Sequence, residues 1–236
     1  MLHRVAVITG VGPGLGAALA RRFAREGFQV GLVARSSDFI QALAQEISAS
    51  GPRAISVVAD VSRPAEARRA VQRIRENVGP IGVFIHNPSN ALGQGLLGTT
   101  PEQFEQSWRV GALGGFVCAQ ETASDMLKAG DGVMLFTGAT SSVRGGGWMA
   151  FSSAKFAVRG LAQSLARELW PRGIHVAHVI VDGLIGTPQD RKRVPADEPL
   201  LDPDRIADGY WHLATQDRSA WSLELDLRPY TEQFYV

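Results

Sequence analysis

Residues 4–16 read RVAVITGVGPGLG. Arg4–Thr9 is a short apolar run rich in β-branched residues, which predicts a buried strand. It runs straight into a turn carrying Gly10, Gly12, Gly14 and Gly16. Beyond the turn, Leu15, Leu19 and Phe23 recur every four residues while Arg21, Arg22 and Arg25 are left for solvent. That spacing predicts an amphipathic helix from Gly14 to Arg25, closed by Gly27. A strand–glycine turn–helix junction aims the unpaired N–H groups and positive end of a helix at one point, which suits a pyrophosphate. The glycines let backbone approach such a ligand and let the helix pack on the strand.

Working outward, the same alternation continues. Strands are predicted at Phe28–Ala34, Ala54–Ala59, Gly82–His86, Gly132–Thr137, Ile174–Val181 and Ser222–Leu227. Between them helices are predicted at Phe39–Ser50 (starting from Asp38), Pro64–Val78, Pro101 to about Lys128, Met149–Trp170 and Pro203–Thr215. Thr100 and Asp202 are the expected N-caps of the third and fifth of these. Strands alternating with helices imply a doubly wound α/β fold, a seven-stranded, mostly parallel sheet with helices on both faces. No repeat or linker interrupts it, so residues 1–236 are read as one domain. Leu184–Leu201 has no clear period and carries Arg191, Lys192 and Arg193, so it is read as a substrate loop or lid.

Composition excludes several classes. Apolar residues make up 45% and charged residues 20% of the 236, as in a globular chain. Lys plus Arg is 24 against 23 acidic residues, a net charge of +1, which marks neither a nucleic-acid binder nor a membrane anchor. The apolar start, Met1–Ala20, is interrupted by four glycines and a proline, unlike a signal peptide. The uncharged stretch Val78–Pro101 holds three prolines and five glycines and is no membrane span. Cys118 is the only cysteine. The expectation is a cytoplasmic protein without a disulfide framework or cysteine-based metal site.

The turn has the spacing TGxxxGxG over Thr9–Gly16, and with it the chain resembles the short-chain dehydrogenase/reductase family along nearly its whole length. Asp60-Val61 follows the third strand, where that family contacts adenine. Asn87-Pro88-Ser89 follows the fourth, where it usually has Asn-Ala-Gly. Lys155 lies in FSSAKFAVRG, where it has a Tyr-x-x-x-Lys helix. Asp182-Gly183 and Thr187 follow the sixth, where it has Pro-Gly and a Thr beside the nicotinamide. The resemblance implies a nicotinamide-dinucleotide oxidoreductase acting on a small-molecule substrate. It assigns Gly10, Gly12, Gly14, Leu15, Gly16, Asp60, Val61, Asn87, Lys155 and Thr187 to the cofactor, and implies a homo-dimer or homo-tetramer.

The second strand ends Val33-Ala34-Arg35-Ser36, with no carboxylate until Asp38. NAD binders of this type place an acid there for the ribose 2′-OH. Arg35 could pair a 2′-phosphate and Ser36 donate to it, which favours NADP over NAD. The family's other basic marker falls on Pro13.

The implied catalytic set is an Asn, a Ser, a Tyr and a Lys. The Tyr is the general acid/base, the Lys holds the ribose and lowers the Tyr pKa, the Ser holds the substrate oxygen, and the Asn supports a proton relay through water. Lys155 matches. The Tyr position is Phe151, the alternative position seven residues before the Lys is Trp148, and the tyrosines are Tyr210, Tyr230 and Tyr235. The Ser position is Gly138, with Thr140, Ser141 and Ser142 just beyond; the Asn position falls at Val110-Gly111. A phenyl ring has no titratable proton, and losing a general acid costs about 10²–10⁴ in rate.

Three accounts follow. One is an oxidoreductase with a degenerate acid/base site, its proton supplied through Ser141, Ser142, Ser152, His86 or a water on Lys155. The second is a non-catalytic NADP(H)-binding sensor or regulator. The third, a scaffold without cofactor, is opposed by the retained turn and Lys155. Trp148, Met149 and Phe151 suggest an apolar substrate pocket. His175 and His178 are three apart on one strand and so face opposite sides, which argues against a shared metal. Phe234 and Tyr235 suggest a docked, interface-forming tail.

Overall fold

The computed structural model describes residues 3–187, 192, 194–195 and 199–231. The first strand, β1 (Val5–Thr9), is buried throughout. Its Ala6 and Ile8 face one core and its Val5 and Val7 the other. Covering a strand on both faces is what makes its sequence an unbroken apolar run.

Six more strands extend the sheet: β2 (Gln29–Ala34), β3 (Ala54–Val58), β4 (Val83–His86), β5 (Gly132–Thr137), β6 (Ile174–Val181) and β9 (Glu224–Leu227). The order is β3-β2-β1-β4-β5-β6-β9, and every neighbouring pair is parallel. Helices α1 (Leu15–Arg25), α2 (Ser37–Ala49) and α7 (Pro203–Ala214) pack on one face. Helices α3 (Pro64–Val78), α5 (Gly114–Ala129) and α6 (Met149–Leu169) pack on the other. Chain order reverses between β1 and β4, which opens a crevice at the carboxyl ends of the strands.

Three local readings change. The helix after β2 starts at Ser37, with Ser36 rather than Asp38 at its N-cap. The long helix after β4 is not uniform. It runs as α4 (Pro101–Trp108), a π turn (Arg109–Leu113) and then α5. Thr100 does cap it, accepting from Gln103 N while Gln103 Oε1 accepts from Thr100 N. The stretch 184–201 has regular ends: β7 (Leu184–Ile185) and β8 (Leu200–Leu201) pair in parallel as a separate ladder. Residues 188–191, 193 and 196–198 between them lie outside the described residues, as do Phe234 and Tyr235. Among the described residues, no helix is long and apolar enough to cross a membrane.

Candidate functional site

Two adjoining cavities open at the crevice, both lined by Gly10 and Gly12. The first, about 230 Å³, is also lined by Arg35, Ser36, Asp60, Val61 and Pro88. The second, about 390 Å³, is lined by Gly14, Leu15, Gly16, Asn87, Thr137, Gly138, Phe151, Lys155, Leu184 and Ile185 among others.

The turn is built so that backbone lines the crevice. Gly10 has φ +74°, and a Cβ on it would stand 2.5 Å from the backbone nitrogen of Pro88. A Cβ on Gly16 would stand 2.7 Å from Val11 Cα, so the helix closes directly onto the turn. At Gly12 nothing lies within 4 Å of the corresponding point. A side chain there would project into open space against the start of α1, where N–H groups carry the positive end of the helix. Thr187 Cγ2 lies 3.5 Å from the equivalent point on Gly14, so the segment after β6 folds over the turn.

Arg35 and Ser36 are exposed at the far end of the first cavity. Asp60 Oδ1 accepts from Ser62 N at 2.9 Å, while the Asp60 N–H donates to Glu66 Oε2.

Lys155 projects from α6 into the second cavity. It is buried, and Nζ donates to the Thr137 carbonyl at 2.8 Å. Burial pushes its pKa down to about 8. The Phe151 ring, one helical turn earlier, has its centroid 5.5 Å from Nζ. Lys155 is the one titratable side chain among the sixteen described residues of this lining.

A hydrogen-bonded row crosses beside it. Asn87 Nδ2 donates to the Gly10 carbonyl at 3.0 Å, and Thr137 Oγ1 lies 3.1 Å from Asn87 Oδ1. On its other side Thr137 Oγ1 lies 2.7 Å from the hydroxyl of Tyr210, from α7. The sequence gives no sign of this contact, since Tyr210 stands on an amphipathic helix far along the chain.

Gly138 has a packing reason. A Cβ at this position would stand 2.3 Å from His178 Nε2 and 2.9 Å from Ser142 Oγ. The His178 imidazole of β6 fills that space. Its Nδ1 is 3.4 Å from Glu224 Oε1, and Glu224 also takes two hydrogen bonds from Arg159. Burial lowers the His178 pKa to about 4, against the opposing pull of Glu224. Ser142 is fully buried and its Oγ accepts from Ala139 N. Neither Ser141, Ser142 nor Ser152 is in the lining of either cavity. Thr140 Oγ1 is committed to Asp182 Oδ1, and Asp182 also pairs with Arg228 at 3.0 Å. This ties the loop after β5 to the segment after β6 and to the end of β9.

His86 is fixed behind the cavity. Nε2 lies 2.8 Å from the Gly111 carbonyl in the π turn, and Nδ1 lies 3.0 Å from Thr9 Oγ1. A carbonyl only accepts, so Nε2 carries the hydrogen and Nδ1 accepts from Thr9. Burial first, then the charge on Lys155, hold this ring near pKa 3. Gly115 leaves room for the ring, which a Cβ there would approach to 3.0 Å. His175, by contrast, sits away from the site, stacked on Trp221 with its ring nitrogens facing the Leu213 and Ser222 carbonyls.

Residues 4–198 match the family model for short chain dehydrogenase. The chain belongs to the short-chain dehydrogenase family. The chain is 32% identical over 190 residues to a short-chain dehydrogenase/reductase of Armillaria gallica, covering 78% of this chain and 72% of that one. It is 29% identical to the (2S)-[(R)-hydroxy(phenyl)methyl]succinyl-CoA dehydrogenase subunit BbsD of Thauera aromatica, over 91% of this chain and 90% of that one. Among solved structures, a short-chain dehydrogenase from Rhodopseudomonas palustris superposes with a TM-score of 0.84 at 36% identity, covering 96% of this chain and 98% of that one. A blue fluorescent protein from a metagenomic library, in complex with NADPH, gives 0.86 at 28% identity over 97% of each chain.

Proposed function

We propose that this short-chain dehydrogenase family member binds NADP(H) in the two adjoining cavities and uses it as an oxidoreductase with a degenerate acid/base site. The observation that carries the reading is the conjunction of an open backbone cradle at Gly12 with a buried lysine at Lys155. Nicotinamide dinucleotide, when bound, supplies a hydride. The residues present fit such a group. The start of α1 faces one part of the crevice and takes the pyrophosphate. Arg35 and Ser36, lining the far end without a carboxylate beside them on β2, favour a 2′-phosphate. Asp60 and Val61, which line the first cavity, would take the adenine side, and Asn87, which lines the second, would take the nicotinamide side with Thr187, whose Cγ2 packs over Gly14.

Lys155 holds a ribose hydroxyl through N–H groups not used on the Thr137 carbonyl. With Phe151 in the place of a proton-donating tyrosine, the described residues lining the cavity offer no titratable acid besides Lys155 or a water on it. Phe151, Val181, Leu184 and Ile185 make the substrate end apolar, which fits a small apolar substrate. The same lining favours a second reading, an NADP(H)-binding sensor that performs no turnover.

Calorimetric titration with NADPH, NADP⁺, NADH and NAD⁺ tests the reading. Binding of NADPH or NADP⁺ at least tenfold tighter than the NAD pair is expected; no binding of any of the four refutes both readings. Turnover in a carbonyl screen then separates enzyme from sensor.

Assembly into a homo-dimer or homo-tetramer belongs to the same proposal. Trp108 on α4 and Phe116 on α5, each more than two-fifths exposed, line an apolar groove with Ala112, Leu113, Ala157 and Leu161, and Phe104 on α4 and Phe156 on α6 are exposed to the same degree. Such a patch is costly to leave in water. Light scattering at micromolar concentration should give at least twice the 25.4 kDa of one chain.

A further inference from the structure

We infer that Tyr210 is a positioning residue of the dinucleotide cleft, fixing the amide of Asn87 through Thr137. The inference rests on the proposed cofactor site. Donor and acceptor directions along the row follow from chemistry. The Gly10 carbonyl only accepts, so Asn87 presents Nδ2 to it and Oδ1 to Thr137. Oδ1 also only accepts, so Thr137 Oγ1 spends its single hydrogen there. Thr137 Oγ1 is therefore the acceptor for Tyr210, whose hydroxyl donates at 2.7 Å. The row runs in one direction from α7 to the glycine turn, Tyr210 to Thr137 to Asn87 to Gly10.

Its members are held tightly. Tyr210 is fully buried and Thr137 nearly so. Burial raises the phenol pKa, so the donor keeps its proton across the working pH range. The neighbours of Tyr210 on the buried face of α7 are Ile206, Ala207 and Leu213, so an apolar residue would serve packing alone. The hydroxyl instead reaches the last residue of β5, whose carbonyl also receives Lys155 Nζ. Thr137 thus joins the lysine, the asparagine and α7, which begins two residues after β8. Hydrogen-bonded rows of this kind in a low-dielectric interior strengthen one another.

The test is Tyr210→Phe, which removes only the hydroxyl. Two readouts are needed. The side-chain amide resonances of the three asparagines, selectively ¹⁵N-labelled, report Asn87 without any ligand. Quenching of tryptophan fluorescence by NADPH reports affinity. Tyr210→Phe should shift or broaden the Asn87 amide pair and weaken NADPH binding about 5–10-fold. Thr137→Val should do the same, the double variant should be little worse than either single one, and Thr137→Ser should retain most of the affinity. A purely structural tyrosine would lower the melting temperature and leave both the Asn87 resonances and the affinity of the folded protein unchanged. That result in a wild type that binds NADPH overturns the inference alone. A wild type that binds none of the four dinucleotides overturns the cofactor reading and this inference with it.

Discussion

The Lys155 ammonium lies 5.5 Å from the centre of the Phe151 ring, with its hydrogen bond directed to the Thr137 carbonyl. The lysine is buried beside a group that cannot ionise. Phe151→Tyr adds one hydroxyl at the ring edge beside this charge. If Phe151 stands where the family's general acid belongs, the variant should raise NADPH-dependent reduction across a panel of ketones, aldehydes and quinones by about 10²–10⁴-fold. Steady-state oxidation of NADPH at 340 nm measures this. An unchanged rate in a folded variant that still binds NADPH would remove Phe151 from the account.

Keeping Lys155 buried is costly. Its pKa falls from an ordinary 10.5 to about 8 because burial disfavours the ammonium. Between those values the unfolded chain binds more protons than the folded one, so this lysine makes stability rise with pH from about 8 to about 10.5. Lys155→Met should therefore raise unfolding free energy at pH 7 by about 1–3 kcal/mol, and the advantage should shrink above pH 8. Cofactor affinity should fall at the same time. Urea unfolding at pH 7 and pH 9.5, with NADPH titration alongside, checks both.

A side chain at Gly138 and the His178 imidazole compete for one space, so a serine at 138 should fail by itself. Gly138→Ser forces the imidazole away from Glu224 and should cost about 1–3 kcal/mol, as other overpacked sites do. Gly138→Ser combined with His178→Ala should recover stability relative to Gly138→Ser. Denaturant midpoints of the two variants decide it.

Three buried histidines, His86, His175 and His178, all have lowered pKa values. Groups with folded pKa values below 6.5 bind protons more readily in the unfolded chain. Their contribution is full above about pH 6.5 and is lost as the pH falls toward 4 for His178 and toward 3 for His86. The melting temperature should drop steeply between pH 6.5 and 4. His86→Gln, which retains a donor for the Gly111 carbonyl, should flatten that slope by about one proton's worth. Thermal scans across the pH range read the slope directly.

What the chain reveals locally and what it hides divide on sequence distance. The glycine turn, the strand and helix spans and the lysine position were legible in RVAVITGVGPGLG and FSSAKFAVRG, because backbone geometry and hydrophobic period are local properties. Even there, the π turn at Arg109–Leu113 was not, since Gly111 and its neighbours carry no periodic mark and His86 comes from another strand.

Family likeness placed Phe151 and Gly138, but it could not say why residue 138 has no side chain. That reason is an imidazole forty residues away, brought beneath it by the pairing of β5 with β6. In the same way no motif or spacing in the sequence marks Tyr210, yet α7 folds back and sets its hydroxyl against Thr137. By itself the sequence determined the architecture and the glycine turn, whose parts are adjacent residues. Only the tertiary structure decided the polar contacts behind the cavity, because each joins strands or helices that meet through sheet order and packing, and a hydrogen bond depends on distances that chain order does not encode.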